Sequence, residues 1–406
     1  KLRAAGHASF LVGGCVRDLV LGLEPKDYDI ATEAKPNEVK AAVGKVIEVG
    51  AAFGVLIVPV KVAGQRFEIE VATFRAESDY RDGRRPNEVR FTDAREDVLR
   101  RDFTINGLLL EPTGTRWLVA DFVRGIEDLE ARLLRAIGEP LHRFTEDHLR
   151  VLRMVRFATR FDLEIDPETL GAAQVCASKL RRISRERVRE ELVRMLTGRR
   201  PERAIKLLAR LKVGALLWPE LLGDVPLAKR ADRLAAVVEA LGEPTLGAFD
   251  YPPQGGLDDA LALALLFGVP PAQQAIAKAA QLGEQLRLSK PTTRSIAHIW
   301  RLAGQLCDSP TDGGLIRLLR DPAADGALLL LSAMQPNVPQ WSALRTRRLA
   351  ATKAQWQPVL AVTGATLKAA GHRPSPAFRL AIVAAEDVQL AGGSSEDAWK
   401  AAQRYL

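Results

Sequence analysis

Cysteine is scarce in this chain. Only Cys15, Cys176 and Cys307 occur in 406 residues, far apart from one another. They form no metal-ligand spacing, argue against a disulfide framework, and suit a reducing cytosol, so a cytoplasmic location is expected. No apolar run is long enough to cross a membrane, so no membrane partner is expected. Zinc-ligand spacing, a Ser/His/Asp set, a P-loop and a repeat of fixed period are all missing. Lys1 stands first, with no initiator Met and no signal-peptide pattern, and the sequence reads as trimmed at its start.

What is present is a soluble globular composition, 47% hydrophobic and 27% charged, with length for roughly two to four domains. The net charge of +8 and pI near 9.5 favour a polyanionic partner such as nucleic acid.

The stretch Leu11 to Thr32 organises the rest. Phe10 to Val12 reads as a strand that ends in Gly13 and Gly14, where the backbone can approach a ligand closely. The helix that follows offers its N-terminus to an anion, and Arg17, one turn in, is placed to reach the same anion. A second strand is expected to carry Asp27 and Asp29 on one face. Two carboxylates side by side repel unless a cation lies between them. With phosphate donors nearby, Mg²⁺ is the simplest such cation. The stretch proposes metal-assisted transfer of a phosphate-bearing group.

Up to about Ile137 the pattern is mixed α/β. Lys45 to Val49, Val55 to Val62, Arg66 to Thr73 and Trp117 to Phe122 read as strands, with Ala63-Gly64-Gln65 as a hairpin turn and Pro36 to Val43 as a helix. Leu133 to Ile137 is a strand or the extension of a helix. Glu68 and Glu70 share a strand face; Glu68 suits solvent, and Glu70 can add a third carboxylate to the metal site or the acceptor hydroxyl. Phe74 to Asp93 is so charged, with Gly83 and Pro86, that a loop is expected. In Arg100 to Gly107, the apolar Phe103 and Ile105 anchor an element that projects Arg101, Asp102 and Asn106 outward. Asp121 to Gly138 reads as a structural connection.

Beyond Gly138 the strand signals end. Phe144 to Ala158 reads as one helix capped by Thr145, with Val151, Leu152 and Val155 inward and Asp147, Arg150 and Arg153 in one sector. Asp147 accepts hydrogen bonds and Arg150 donates them, which matches the pattern of a base edge; a solvated i,i+3 ion pair is the plainer alternative. Lys179 to Lys212 is helical and basic, with Ser184, Arg187 and Glu191 at a helix start, and suits either a solvated face or an RNA backbone. Leu257 to Phe267, Ala272 to Leu288 and Ile296 to Leu306 show amphipathic periods, with breaks at Tyr251 to Gly256 and Pro336 to Pro339.

Taken in order, these motifs resemble the class II tRNA nucleotidyltransferases and bacterial poly(A) polymerases, over roughly Phe10 to Lys212. The resemblance implies an α/β polymerase-beta-like nucleotidyltransferase head, a small sheet with flanking helices (1–138), followed by an all-α neck (139–215), body (216–300) and tail (301–406). It implies that Asp27 and Asp29 hold Mg²⁺, with Glu70 joining the catalytic set. It implies that Gly13, Gly14, Arg17, Arg101, Asp102 and Asn106 bind the nucleotide, with Asp102 and Asn106 suited to the ribose. Asp147 and Arg150 then select CTP and ATP, Arg153 and Arg156 face the triphosphate, and the tRNA 3′ end is the acceptor. The charged stretch after Phe74 resembles the family's flexible loop, which argues for A addition. Gly50-Ala51-Ala52-Phe53-Gly54 lacks the arginines that poly(A) polymerases carry there, which favours CCA addition. Poly(A) addition, A-only addition and a non-catalytic RNA-binding role remain the alternatives, and the oligomeric state stays open.

Overall fold

The computed structural model describes residues 1–50, 54–80, 86–114, 116–222, 225–241, 258–308, 312–350 and 359–406. These fall into two compact units, Lys1–Ala228 and the residues from Lys229 onward.

The first unit opens on β1 (Ser9–Val12), α1 (Gly14–Val20), β2 (Asp29–Thr32) and α2 (Pro36–Val43). β3 (Ile47–Gly50), β4 (Val55–Val62) and β5 (Gln65–Thr73) follow, and later β8 (Leu108–Thr113) and β9 (Arg116–Asp121) complete a seven-stranded sheet ordered β3-β4-β5-β2-β1-β8-β9. Val and Ile alternation builds the β4–β5 hairpin. Its two-residue turn needs left-handed backbone at both positions, supplied by Ala63 (φ 48°) and Gly64 (φ 87°). Most neighbours are antiparallel; β2 and β5 run parallel, because α2, β3 and β4 intervene between them. Val39 of α2 and Leu56, Val58 and Val71 bury one face of the sheet, while Val12, Ala31, Phe74, Val98 and Leu109 cluster elsewhere in the head.

Two expectations need correction here, and one open alternative is decided. β2 begins at Asp29, so Asp27 stands in the bend before the strand and not on it. The stretch expected as a loop contains β6 (Arg75–Tyr80) and β7 (Pro86–Phe91), paired antiparallel; residues 81–85, with Gly83, lie outside the described residues. A two-stranded ribbon satisfies its backbone without a core, so charged composition excluded burial without excluding pairing. Leu133 to Ile137 resolves into a short strand, β10 (Leu133–Leu134), paired parallel with β11 (Glu164–Ile165). The Gly50 to Gly54 stretch has residues 51–53 outside the described set, as has the Tyr251 to Gly256 break.

Between and beyond these strands lie α3 (Ala94–Leu99), α4 (Gly125–Glu130), α5 (Pro140–Glu146), α6 (Arg150–Arg160), α7 (Pro167–Cys176), α8 (Arg185–Leu196) and α9 (Pro201–Arg210). The expected single helix over 144–158 is two. Asp147 is extended (φ −138°, ψ 103°), and its Oδ1 accepts from the Leu149 amide at 3.0 Å. A side chain that bonds the nearby backbone competes with the helical ladder, and the helix stops there. Thr145 is no cap: Glu139 caps α5, and the Thr145 hydroxyl donates to the Leu141 carbonyl. Val151, Leu152 and Val155 are buried as expected. Phe103, fully buried, packs tilted against the fully buried Phe144 and edge-on against Phe157, tying the head's motif segment to α5 and α6. Fully burying each such ring stabilises by roughly 1.5–3 kcal/mol.

The second unit is helical among the described residues. Its helices include Asp259–Phe267, Ala275–Leu286, Lys290–Asp308, Ala324–Met334, Ala377–Leu390 and Ser395–Gln403. The three amphipathic stretches read from the sequence therefore fall on helices, and 336–339 is a break. Among the described residues no helix is long and apolar enough to cross a membrane.

Candidate active site

The sharp turn from β1 into α1 begins one wall of a cleft. Gly13 holds φ 72°, ψ −128°, a conformation that a side chain would strain, and a Cβ there would sit 3.0 Å from the Arg101 Nη1. The cleft is lined by Gly13, Gly14, Arg17 and Asp29 from the sheet side, by Arg100, Arg101, Asp102 and Asn106 from the next segment, and by Asp147, Arg150, Arg153, Arg156, Phe157, Arg160 and Arg187 from the helical side. Eight arginines face three aspartates, so the cleft is built for a strongly anionic ligand.

The carboxylates sit at its edge. The parallel register sets Asp29 directly beside Glu70, so the two point to the same face on adjacent strands. Burial first, then Glu70 and Asp27, push the Asp29 carboxyl up to about 6, with Arg101 opposing. Among the described residues, none of these three carboxylates makes a hydrogen bond or an ion pair. Asp27 and Glu70 are exposed and lie outside the cleft lining, and among the described residues no three such groups are gathered closely enough to hold a metal by themselves. The donor set suits Mg²⁺, which takes one or two carboxylates and fills its remaining positions with water and substrate phosphates.

Arg101, Asp102 and Asn106 do not project outward. Asp102 and Asn106 are buried, and Arg101 donates to Asp97 at 2.9 Å. Asp102 accepts from the Asn106 amide at 3.0 Å and from the Arg153 Nε at 2.7 Å. Burial would raise its pKa, yet Arg153, Asn106 and Arg150 outweigh burial and hold it below the usual carboxylate range. Arg17 is also turned inward. Its Nε and Nη2 donate to Asp18 at 2.9 and 2.6 Å, its Nη1 donates to Asn106 at 2.5 Å, and its guanidinium lies 4.2 Å from the Phe161 ring centroid. Burial lowers its pKa to about 10.

On the helical side, the break before α6 removes the shared helix sector read from the sequence, because Asp147 precedes α6. The cleft brings the residues together nonetheless. Arg187 of α8 donates to Asp147 at 2.7 Å, and Arg150 donates to Glu146 at 2.6 Å and to the Arg100 carbonyl at 3.0 Å. Arg156 is buried and bonds Glu191 at 2.6 Å. Ser184 is the α8 N-cap residue but makes no side-chain cap bond; α8 supports the cleft through Arg187 and Glu191. Sequence reading missed Arg160, Phe157 and the Asp18 pairing. Phe157 and Phe161 one turn apart, flanked by Arg156 and Arg160, were the signal available.

Residues 9–135 match the model of the "Poly A polymerase head domain", and residues 162–223 match "Probable RNA and SrmB-binding site of polymerase A". The chain is 42% identical over 205 residues to the CCA-adding enzyme of Levilactobacillus brevis, covering 50% of each protein. It is 42% identical over 207 residues to that of Limosilactobacillus reuteri, covering 51% of this chain and 50% of the relative. The chain thus spans about half the length of the curated relatives it matches. Among solved structures, the Bacillus stearothermophilus CCA-adding enzyme in complex with CTP superposes with TM-score 0.69 at 29% identity, over 99% of this chain and 94% of that one. The Thermotoga maritima CCA-adding enzyme complexed with tRNA shares the fold, with TM-score 0.71 at 19% identity over 99% of this chain and 92% of that one.

Proposed function

We propose that the chain, whose residues 9–135 match the poly A polymerase head domain model, is a tRNA nucleotidyltransferase, adding C and A residues to the tRNA 3′ end from CTP and ATP with release of pyrophosphate. The observation that carries the reading is the arginine-lined cleft with the uncompensated Asp29 carboxylate at its edge, beside Glu70. The identity to CCA-adding enzymes over about half of the chain, and the CTP-bound relative of the same fold, support it. They also favour CCA addition over poly(A) synthesis.

In this reading Arg101 and Arg153 hold the triphosphate. Asp27 and Asp29 hold Mg²⁺, which when bound polarises the α-phosphate for attack by the acceptor hydroxyl. Glu70 completes the acidic set from the neighbouring strand. Asp147, steadied by Arg187, accepts from the exocyclic amine of cytosine or adenine, and Arg150 donates to the adjacent ring nitrogen; uracil and guanine reverse that pair. The division into head (1–138), neck (139–215), body (216–300) and tail (301–406) belongs to the same reading, with the helical parts gripping the RNA.

The deciding experiment incubates the protein with tRNA lacking one, two or three terminal nucleotides and each NTP separately. CCA addition requires C incorporation from CTP on the shorter acceptors and A incorporation from ATP on the last. A addition alone on the tRNA lacking one nucleotide identifies an A-only enzyme, and runs of A identify a poly(A) polymerase.

Two variants extend the test. Asp147→Ala and Arg150→Ala should each lower preference for CTP and ATP over UTP and GTP by roughly five- to a hundred-fold, the equivalent of about 1–3 kcal/mol for a charged hydrogen bond. Competition among all four nucleotides reads this directly, and unchanged preference in both variants would place the base template elsewhere. Shortening the stretch between Glu77 and Pro86, which takes in the end of β6 and the start of β7, should spare C addition and impair the final A. Equal loss of both would give the hairpin a general role instead.

A further inference from the structure

A bonded chain crosses beneath the cleft. It starts at Arg160 of α6, whose Nη2 lies 3.6 Å from the Asp18 Oδ2. It passes through Asp18 to Arg17, through Arg17 to Asn106, through Asn106 to Asp102, and returns to α6 at Arg153. Arg153 and Arg160 are two helical turns apart on one helix. Asp18 of α1 and Asp102 of the next segment therefore hold α6 at two points, and Arg17 lies over Phe161, the residue just past the end of that helix, at 4.2 Å and near Phe157 at 5.3 Å. Arg17, Asp18, Asn106 and Asp102 are all buried, so the chain is shielded from water.

We propose that this clamp fixes the span between the anion cradle at Gly13–Gly14 and the base template at Asp147 and Arg150, and that Asp18 and Phe161 are positioning residues for nucleotide selection. The proposal deepens the nucleotidyl-transfer reading and rests on it. Neither Asp18 nor Phe161 lines the cleft, so neither meets the nucleotide directly. The physical argument is one of reach. A nucleotide spans both sites at once, and its triphosphate and base can be gripped together only while α1 and α6 keep their separation. A sub-ångström change there misplaces one end whenever the other is seated. Phosphate binding alone does not require the span, and selection of the base does.

The test uses the full 406-residue chain. Asp18→Asn and Phe161→Leu should each raise the KM for CTP about tenfold and cut discrimination against UTP by a similar factor, while kcat at saturating CTP changes less than about threefold. Phe161→Tyr, which keeps the ring under Arg17, should retain wild-type values. A preparation that is merely part-unfolded shows lower kcat at unchanged KM, and that result, or unaltered KM and selectivity, overturns the clamp. CTP dissociation constants from equilibrium dialysis separate the two levels of argument. A wild-type protein that binds CTP and transfers no nucleotide refutes the transfer reading, and the variants' dissociation constants still decide the clamp. A wild-type protein that does not bind CTP refutes both.

Discussion

Replacing Asp29 by Asn is expected to abolish nucleotide addition, lowering turnover at least about a thousand-fold, or about 4 kcal/mol of transition-state stabilisation. Asp29 is the one member of the acidic set that reaches the cleft lining, and the parallel register places it against Glu70. Its carboxyl is pushed up to about 6 by burial, Glu70 and Asp27. Proton and metal compete for the same oxygens, so the Mg²⁺ concentration giving half-maximal rate should rise about tenfold for each pH unit below about 6 and level off above it. The same shift fixes the sign of the stability effect. A carboxyl that ionises at 3.8 when unfolded and near 6 when folded costs the metal-free fold stability as pH rises between those values. Asp29→Asn without Mg²⁺ should therefore melt no lower than the wild type at neutral pH, and inactivity cannot then be ascribed to unfolding. Turnover retained in the variant with Mg²⁺ supplied, or a Mg²⁺ requirement indifferent to pH between 5 and 7, would remove the metal from Asp29.

The largest expected effect on stability lies at Glu191. This carboxylate is 3% exposed and pairs at 2.6 Å with Arg156, which is 9% exposed. Burial lowers the Arg156 pKa and Glu191 opposes that, so the pair offsets the cost of burying a guanidinium that stays charged. Glu191→Ala strands that charge, at a cost of about 3–5 kcal/mol. For a unit of this size the unfolding midpoint should fall on the order of 10 °C. Glu191→Gln keeps an acceptor for the Arg156 Nε and should lose markedly less. Thermal unfolding followed by far-ultraviolet circular dichroism measures both, and a midpoint within 2 °C of wild type for the alanine variant would show the pair to be dispensable.

Much of the fold was legible in the sequence, and for identifiable reasons. β4 and α2 were read at their observed limits, because Val and Ile between glycines and Pro36 at a helix start are local signals. The errors came where side chains act on the backbone or on distant partners. The break at Asp147 depends on one carboxylate choosing a nearby amide over the helical ladder. The inward turn of Arg17, Asp102 and Asn106 depends on bonds to residues far off in sequence, such as Arg17 to Asn106 and Arg153 to Asp102. Helical periodicity places a residue on a face; it does not say which charge will be waiting there. The candidate site was nevertheless named largely from its residue types, because glycines at a tight turn, paired carboxylates and clustered arginines each limit the chemistry that can follow. Arg160 and the aromatic pair under Arg17 carried no such chemical label, and they emerged only from packing.

The parallel pairing of β2 with β5 also has a consequence for how the head assembles. The β4–β5 hairpin closes through a two-residue turn, a contact between near neighbours that forms on the microsecond scale. Asp29 and Glu70 are about 40 positions apart, and their strands meet only after the intervening helix and hairpin are in place. The closing of that long loop is thus the step that brings like charges together. Until then each carboxylate is separately solvated and the growing sheet carries no repulsion between them. A chain in which β2 has not yet docked on β5 can hold its β4–β5 hairpin and still lack its acidic pair.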